Sequence, residues 1–130
     1  MTSETSNSGS IELARVLQDM NQQGDFPIAI ITDRQGFPIA SAAAPEQDPE
    51  TQSAVVALVQ KTATQASHQL GMASTDEISL YDTRGRRLVC RPFTVNNYEL
   101  ILAVVIPDKQ QSYRRLTNKA VREIRQRWKL

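Results

Sequence analysis

Across residues 25–41, DFPIAIITDRQGFPIAS, an almost unbroken apolar run stops at an Asp-x-x-Gly turn and resumes as a second short strand. In such a turn the aspartate side chain accepts from the backbone, while the glycine takes the positive φ that a bulged hairpin needs. The same device returns at Asp82-Thr83-Arg84-Gly85, between ISLY and RLVCRPF. Two hairpins of this kind among three helical patterns leave few topologies open to a chain of 130 residues, the length of one domain.

The remaining elements follow from period and punctuation. Residues 1–9 are small, polar and without period, so they are expected to form a disordered tail ahead of a single domain over 10–130. Ser10 is a plausible N-cap for a first helix whose Leu13, Val16, Leu17 and Met20 keep the i, i+3, i+4, i+7 spacing, with Gly24 as its stop. Strands are predicted over 26–32 and 37–41. Asp48 then caps a second helix, with Pro49 at the first helical position, running to about residue 70, where Gly71 ends it. Strands over 77–81, 86–93 and 98–106 follow, the last two joined by Asn96-Asn97, since asparagine tolerates positive φ. A third helix begins near Ser112, and Tyr113, Leu116, Thr117, Ala120, Val121, Ile124 and Trp128 form its buried stripe.

Polarity then orders the strands. The first (FPIAIIT) and fifth (LILAVVI) are apolar at consecutive positions, which predicts cover on both faces. The third alternates Ile78 and Leu80 with Glu77, Ser79 and Tyr81, and the second carries Pro38, which favours an edge. With hairpin neighbours paired, the order 2-1-5-4-3 places both apolar strands inside. The expected fold is α/β (α+β): αββαβββα, a five-stranded antiparallel sheet in a three-layer α/β/α sandwich, with helix 2 on one face and helices 1 and 3 on the other.

Two features predict a homodimer. Pro38 discourages strand addition at one edge, whereas strand 3 has no proline, lysine or bulge signal to protect the other. The apolar residues of helix 2 (Ala54, Val55, Val56, Leu58, Val59, Ala63, Ala66 and Leu70) spread over roughly 200° of its circumference, about twice what covering one sheet requires. A helix apolar on two sides expects two partners, so strand 3 is expected to pair with its mate and helix 2 to pack on its mate. The interface candidates are Val55, Leu58, Val59, Thr62, Ala66, Ile78 and Leu80. The alternative is an alanine-rich helix and a short edge strand left alone.

The chain resembles the roadblock/dynein light chain family over residues 11 to about 127. The resemblance rests on LARVLQDM, the hairpin IAIITDRQGFPIAS, the alanine-containing helix SAVVALVQKTATQA, LGM, LYDTRGRRLV and ELILAVVI in this order. It implies the roadblock (profilin-like) fold, a homodimer built through strand 3 and helix 2, and a scaffold role with Ras-like small GTPases as usual partners. Bacterial relatives act as GTPase-activating or polarity-regulating partners, and eukaryotic ones are dynein subunits or signalling scaffolds. No matched position is catalytic in the family. Gln60, Lys61, Thr64 and His68, on the polar side of helix 2, are the candidate partner surface.

Other chemistry is sparse. No Gly-x-x-x-x-Gly-Lys-Ser/Thr is present, so nucleotide hydrolysis is not expected, and both Asp-x-x-Gly copies read as turns. One His and one Cys cannot build a zinc site of the usual spacing. A Cys90–His68 nucleophile pair is conceivable, but Cys90, mid-strand between Val89 and Arg91, reads as a packed thiol. The expectation is a protein without catalytic residues, metal or cofactor. A single cysteine suits a reducing compartment and no run approaches the ~18 apolar residues of a membrane span, which predicts a cytoplasmic protein. A second functional class is a small-ligand sensor of α/β/α architecture, which predicts a pocket with converging polar groups.

Charge adds a direction. Up to Thr83 the chain holds eleven acidic and three basic residues; from Arg84 on it holds twelve basic and three acidic, an asymmetry that can orient approaching partners. Arg114, Arg115, Lys119, Arg122, Arg125 and Lys129 share one face of helix 3. That face reads either as solvated cations favourably placed near a helix C-terminus or as a surface for nucleic acid or anionic membrane. Missing aromatic interleaving argues against nucleic acid. Arg84, Arg86, Arg87 and Arg91, around the strand 3–4 turn, are expected to be solvated, the alternative being an arginine that acts in trans on a GTPase.

Overall fold

Both Asp-x-x-Gly segments close their hairpins in the same way. In the computed structural model, which describes residues 3–128, Asp33 Oδ1 accepts from the N–H groups of Gln35 (2.8 Å) and Phe37 (3.0 Å). Asp82 Oδ1 accepts from those of Arg84 (2.9 Å) and Arg86 (2.8 Å). Gly36 and Gly85 take φ of 97° and 86°, as the turn demands.

The order of elements is α1 (Ser3–Gly24), β1 (Ile28–Asp33), β2 (Pro38–Ala43), α2 (Pro49–Gln69), β3 (Ile78–Tyr81), β4 (Arg87–Val95), β5 (Tyr98–Ile106) and α3 (Arg114–Gln126). The sheet is antiparallel, with order β2-β1-β5-β4-β3. The expected sandwich and strand order are those observed.

On one face, Leu13, Val16, Leu17 and Met20 of α1 and Ala120 and Ile124 of α3 pack on Ala29, Ile31, Leu100, Leu102, Val104 and Ile106. Each buried leucine or isoleucine there contributes about 1.5–3 kcal/mol relative to exposure. On the other face Val56 of α2 packs with Cys90, Ile101 and Ala103. β1 and β5, covered on both faces, are the most buried strands, as their unbroken apolar runs require.

Several boundaries differ from expectation. α1 starts at Ser3, ahead of the Ser10 cap expected; Met1 and Thr2 lie outside the described residues. No proline interrupts residues 3–9, and extending a helix already nucleated by packing adds one hydrogen bond per residue fixed. At the other end of α1 the positive φ belongs to Asp25 (55°), not to Gly24. Gly24 is needed for space: a Cβ there would lie 2.3 Å from Phe26 ring atoms. The Phe26 N–H donates to Asn21 O at 3.0 Å, so this residue closes α1 and β1 begins two residues later. β4 runs two residues beyond its expected end, to Val95, paired throughout with β5. Asn96 takes the predicted positive φ, 54°.

α2 begins as its sequence dictates. Asp48 accepts from Thr51 N–H (3.4 Å) and Thr51 Oγ1 (2.7 Å), and Pro49 occupies the first turn. The Thr51 hydroxyl, followed by the backbone N–H, holds the Asp48 carboxyl below its ordinary value.

Candidate interaction surfaces

α2 buries Ser53, Val56, Ala57 and Gln60 against the sheet, an i, i+3, i+4, i+7 stripe. It lies over β1, β2 and β5. Close approach to the β1–β2 turn is possible because Gly36 has no side chain: a Cβ there would stand 3.3 Å from Ala54 Cα. Toward β4 and β3 the helix covers its face less fully, reaching Cys90 through Val56. Ile78 and Leu88 on that side are half-buried, and Leu80 is 49% exposed. Beside the helix is an apolar cavity of about 170 Å³ lined by Ile28, Ile30, Val55, Val56, Leu88 and Val105.

The outward side of α2 carries Val55 (49% exposed) and Leu58 (63% exposed). Thr62 and Ala66 are also exposed, with the Thr62 hydroxyl donating to Leu58 O at 3.0 Å, and Val59 is half-buried. Val55, Leu58, Thr62 and Ala66 thus form an exposed stripe on α2, with Val59 half-buried beside it, and Ile78 and Leu80 lie on the edge strand on the same face of the sheet. β3 pairs only with β4 and ends the sheet.

Of the four polar residues assigned to a partner surface, Lys61, Thr64 and His68 are exposed. Gln60 is a correction: it is 2% exposed and faces the sheet. Its Nε2 donates to Thr64 Oγ1 at 3.2 Å, so it supports that surface from beneath. Cys90 is fully buried, and burial pushes its thiol up to about 12, which makes it a packing residue.

Two arginines expected in solvent are corrections as well. Arg87 is 9% exposed, its guanidinium between the rings of Tyr81 (5.0 Å) and Tyr113 (4.6 Å). It donates to Tyr81 Oη and to Lys109 O. Arg91 is half-buried and donates to Thr117 Oγ1 (2.9 Å) and Asn118 Oδ1. The reason is strand alternation: Arg87 and Arg91 share the α3 side of β4 with Val89 and Phe93. That parity was readable in the sequence, but charge suggested solvent. Opposite them Glu77 accepts from Tyr113 Oη, from Arg114 Nη1 (2.7 Å) and from Ser79 Oγ (3.2 Å), which ties the start of the edge strand to the start of α3. Desolvation, and then the bond to Glu77, raises the Tyr113 phenol above its ordinary value.

Arg114, Arg115, Lys119, Arg122 and Arg125 are all exposed on α3; Lys129 lies outside the described residues. Arg114 is paired with Glu77 and, at 3.8 Å, with Asp76. Among the described residues, no group of His, Cys, Asp and Glu could hold a metal ion, and no helix is long and apolar enough to cross a membrane.

No protein-family model and no curated protein matches the sequence. Solved structures do match. Myxococcus xanthus MglB superposes with a TM-score of 0.75 at 16% identity, covering 89% of this chain and 86% of that one. An MglB in a tetrameric arrangement gives 0.73 at 16% identity, with 92% and 90% covered. A roadblock/LC7 domain from Streptomyces avermitilis gives 0.72 at 10% identity, with 88% and 93% covered. The chain has the roadblock fold.

Proposed function

We propose that the chain is a non-enzymatic homodimeric scaffold, a roadblock-type regulator that docks a Ras-like small GTPase on a platform made by two paired second helices. One observation carries this reading. α2 lies mainly over β2, β1 and β5 of its sheet face and turns Val55 and Leu58 outward on the face where β3 ends the sheet. A second α2 laid across Leu88, Ile78 and Leu80 would complete the layer, and β3 pairing with its mate would continue the sheet. Val59, Thr62 and Ala66 extend the same contact along the helix. Such an interface is isologous, since each copy offers the same stripe and the same edge. Lys61, Thr64 and His68 would then stand on the shared platform as polar contacts for the GTPase. The sequence resemblance to the roadblock/dynein light chain family supports the class of partner, and the fold shared with MglB supports the scaffold. A reducing, cytoplasmic setting fits the buried free thiol.

Sedimentation of the purified protein tests the first half: a dimer is expected at tens of micromolar, and Leu58→Glu is expected to weaken it at least ~100-fold by burying an unpaired charge. Titration with the cell's own small GTPases in both nucleotide states tests the second half. A strict monomer, or a dimer that binds no GTPase in either state, overturns the corresponding half.

A further inference from the structure

β3 pairs with only Arg87–Cys90 of β4, so residues 91–95 of that nine-residue strand, paired with β5 on one side, have no strand on the other. An added strand is discouraged there, because Pro92 has no N–H and Thr94 O already accepts from Arg125 Nε at 3.1 Å. Between this edge, residues 74–76 and α3 lies a mainly polar cleft of about 590 Å³. Arg34, Arg91, Arg122 and Arg125 line it, against two carboxylates, Asp76 and Glu99. Each carboxylate already has a guanidinium within 3.8 Å: Arg34 for Glu99, and Arg114 for Asp76.

Three of the arginines are held in ways that leave donors for a ligand. Arg91 spends Nη1 on Thr117 and Asn118 and sets Nε 4.0 Å from the Glu77 carboxylate, which leaves Nη2 without a hydrogen bond. Arg125 donates through Nε and lies over the Phe93 ring at 6.0 Å, with no hydrogen bond at its Nη groups, and Arg122, one turn earlier on the same face, has no ion pair among the described residues. Guanidinium forks arriving from a strand and from a helix suit an anion with several acceptor oxygens at different angles, the geometry of phosphate more than that of a planar carboxylate. With four guanidinium groups against two carboxylates, the lining carries an excess of positive charge, which concentrates anions. Its size is that of a small-molecule site, and Phe93 and Val121 offer an apolar wall.

We infer that this cleft binds a phosphate-bearing small molecule, with Arg91, Arg122 and Arg125 on the phosphate. These three arginines come from β4 and α3, and the inference rests on neither the dimer nor the GTPase platform.

Calorimetric titration of the full chain with pyrophosphate tests it. Saturable one-to-one binding is expected, weakened at least tenfold in Arg122→Gln/Arg125→Gln and measurably in Arg122→Gln alone. Arg115→Gln/Lys119→Gln removes the same charge elsewhere on α3 and is expected to change affinity by less than about twofold. Leu58→Glu is expected to bind as the wild type does, which separates this site from the platform. No saturable binding at about 10 mM, equal weakening in both double variants, or equally tight binding of citrate would overturn the inference. Far-UV circular dichroism of each variant confirms that the comparison is between folded proteins.

Discussion

The two faces of the sheet are finished to different degrees. On the first, two helices from opposite ends of the chain meet over the strands, and Leu13, Leu17, Leu102, Ile106 and Ile124 have no measurable contact with solvent. On the second, a single helix leans to one side, and Leu58, Val55 and Leu80 stand in water on the face where β3 ends the sheet. The difference assigns separate tasks. The first face holds the domain together, and the second, an apolar layer left incomplete, is where the proposed association would release the most water.

Paired truncations test that division most strongly. Leu102→Ala, on the closed face, is expected to cost about 2–5 kcal/mol at any protein concentration, measured by urea unfolding. Leu58→Ala, on the open face, is expected to leave monomer stability within about 0.5 kcal/mol and to lower the melting temperature only where the wild type is dimeric. If the two substitutions cost the same in dilute solution, the faces are not distinct.

A smaller effect sharpens the picture of the closed face. Gly24→Ala would put a methyl carbon against the Phe26 ring and is expected to cost about 1–3 kcal/mol through overpacking. Adding Phe26→Leu to it should return part of the loss, which a double-mutant cycle measures.

The smallest effect concerns the start of α2. The folded Asp48 carboxyl lies below its ordinary value of 3.8, so its capping contribution is complete above that value and is lost as pH falls through the folded one. The melting-temperature difference between wild type and Asp48→Ala is therefore expected to be constant from pH 7 to about 4 and to shrink below it. A difference that grows on acidification would contradict the cap.

What was legible before the fold was known was local. Asp33, Asp82, Gly36 and Gly85 state their turn chemistry within four residues, and Asp48 with Pro49 states a helix start. Leu13, Val16, Leu17 and Met20 state a period. Gln60 was misread because its stripe (Ser53, Val56, Ala57, Gln60) is polar at both ends, so hydropathy pointed to the neighbouring positions. Arg87 and Arg91 were misread because their charge outweighed their parity. Their burial depends on Tyr81, Tyr113, Thr117 and Glu77, which lie on other elements.

The amino-acid sequence by itself determined the elements, their order in the sheet and which strands are covered twice, since turn chemistry and hydrophobic period act over a few residues. Only the tertiary structure decided how far α2 leans across its face, which arginines are enclosed and where β3 stops short of β4. Those outcomes come from packing between segments distant in the chain, where volume and hydrogen-bond partners choose among arrangements that local preferences leave equal.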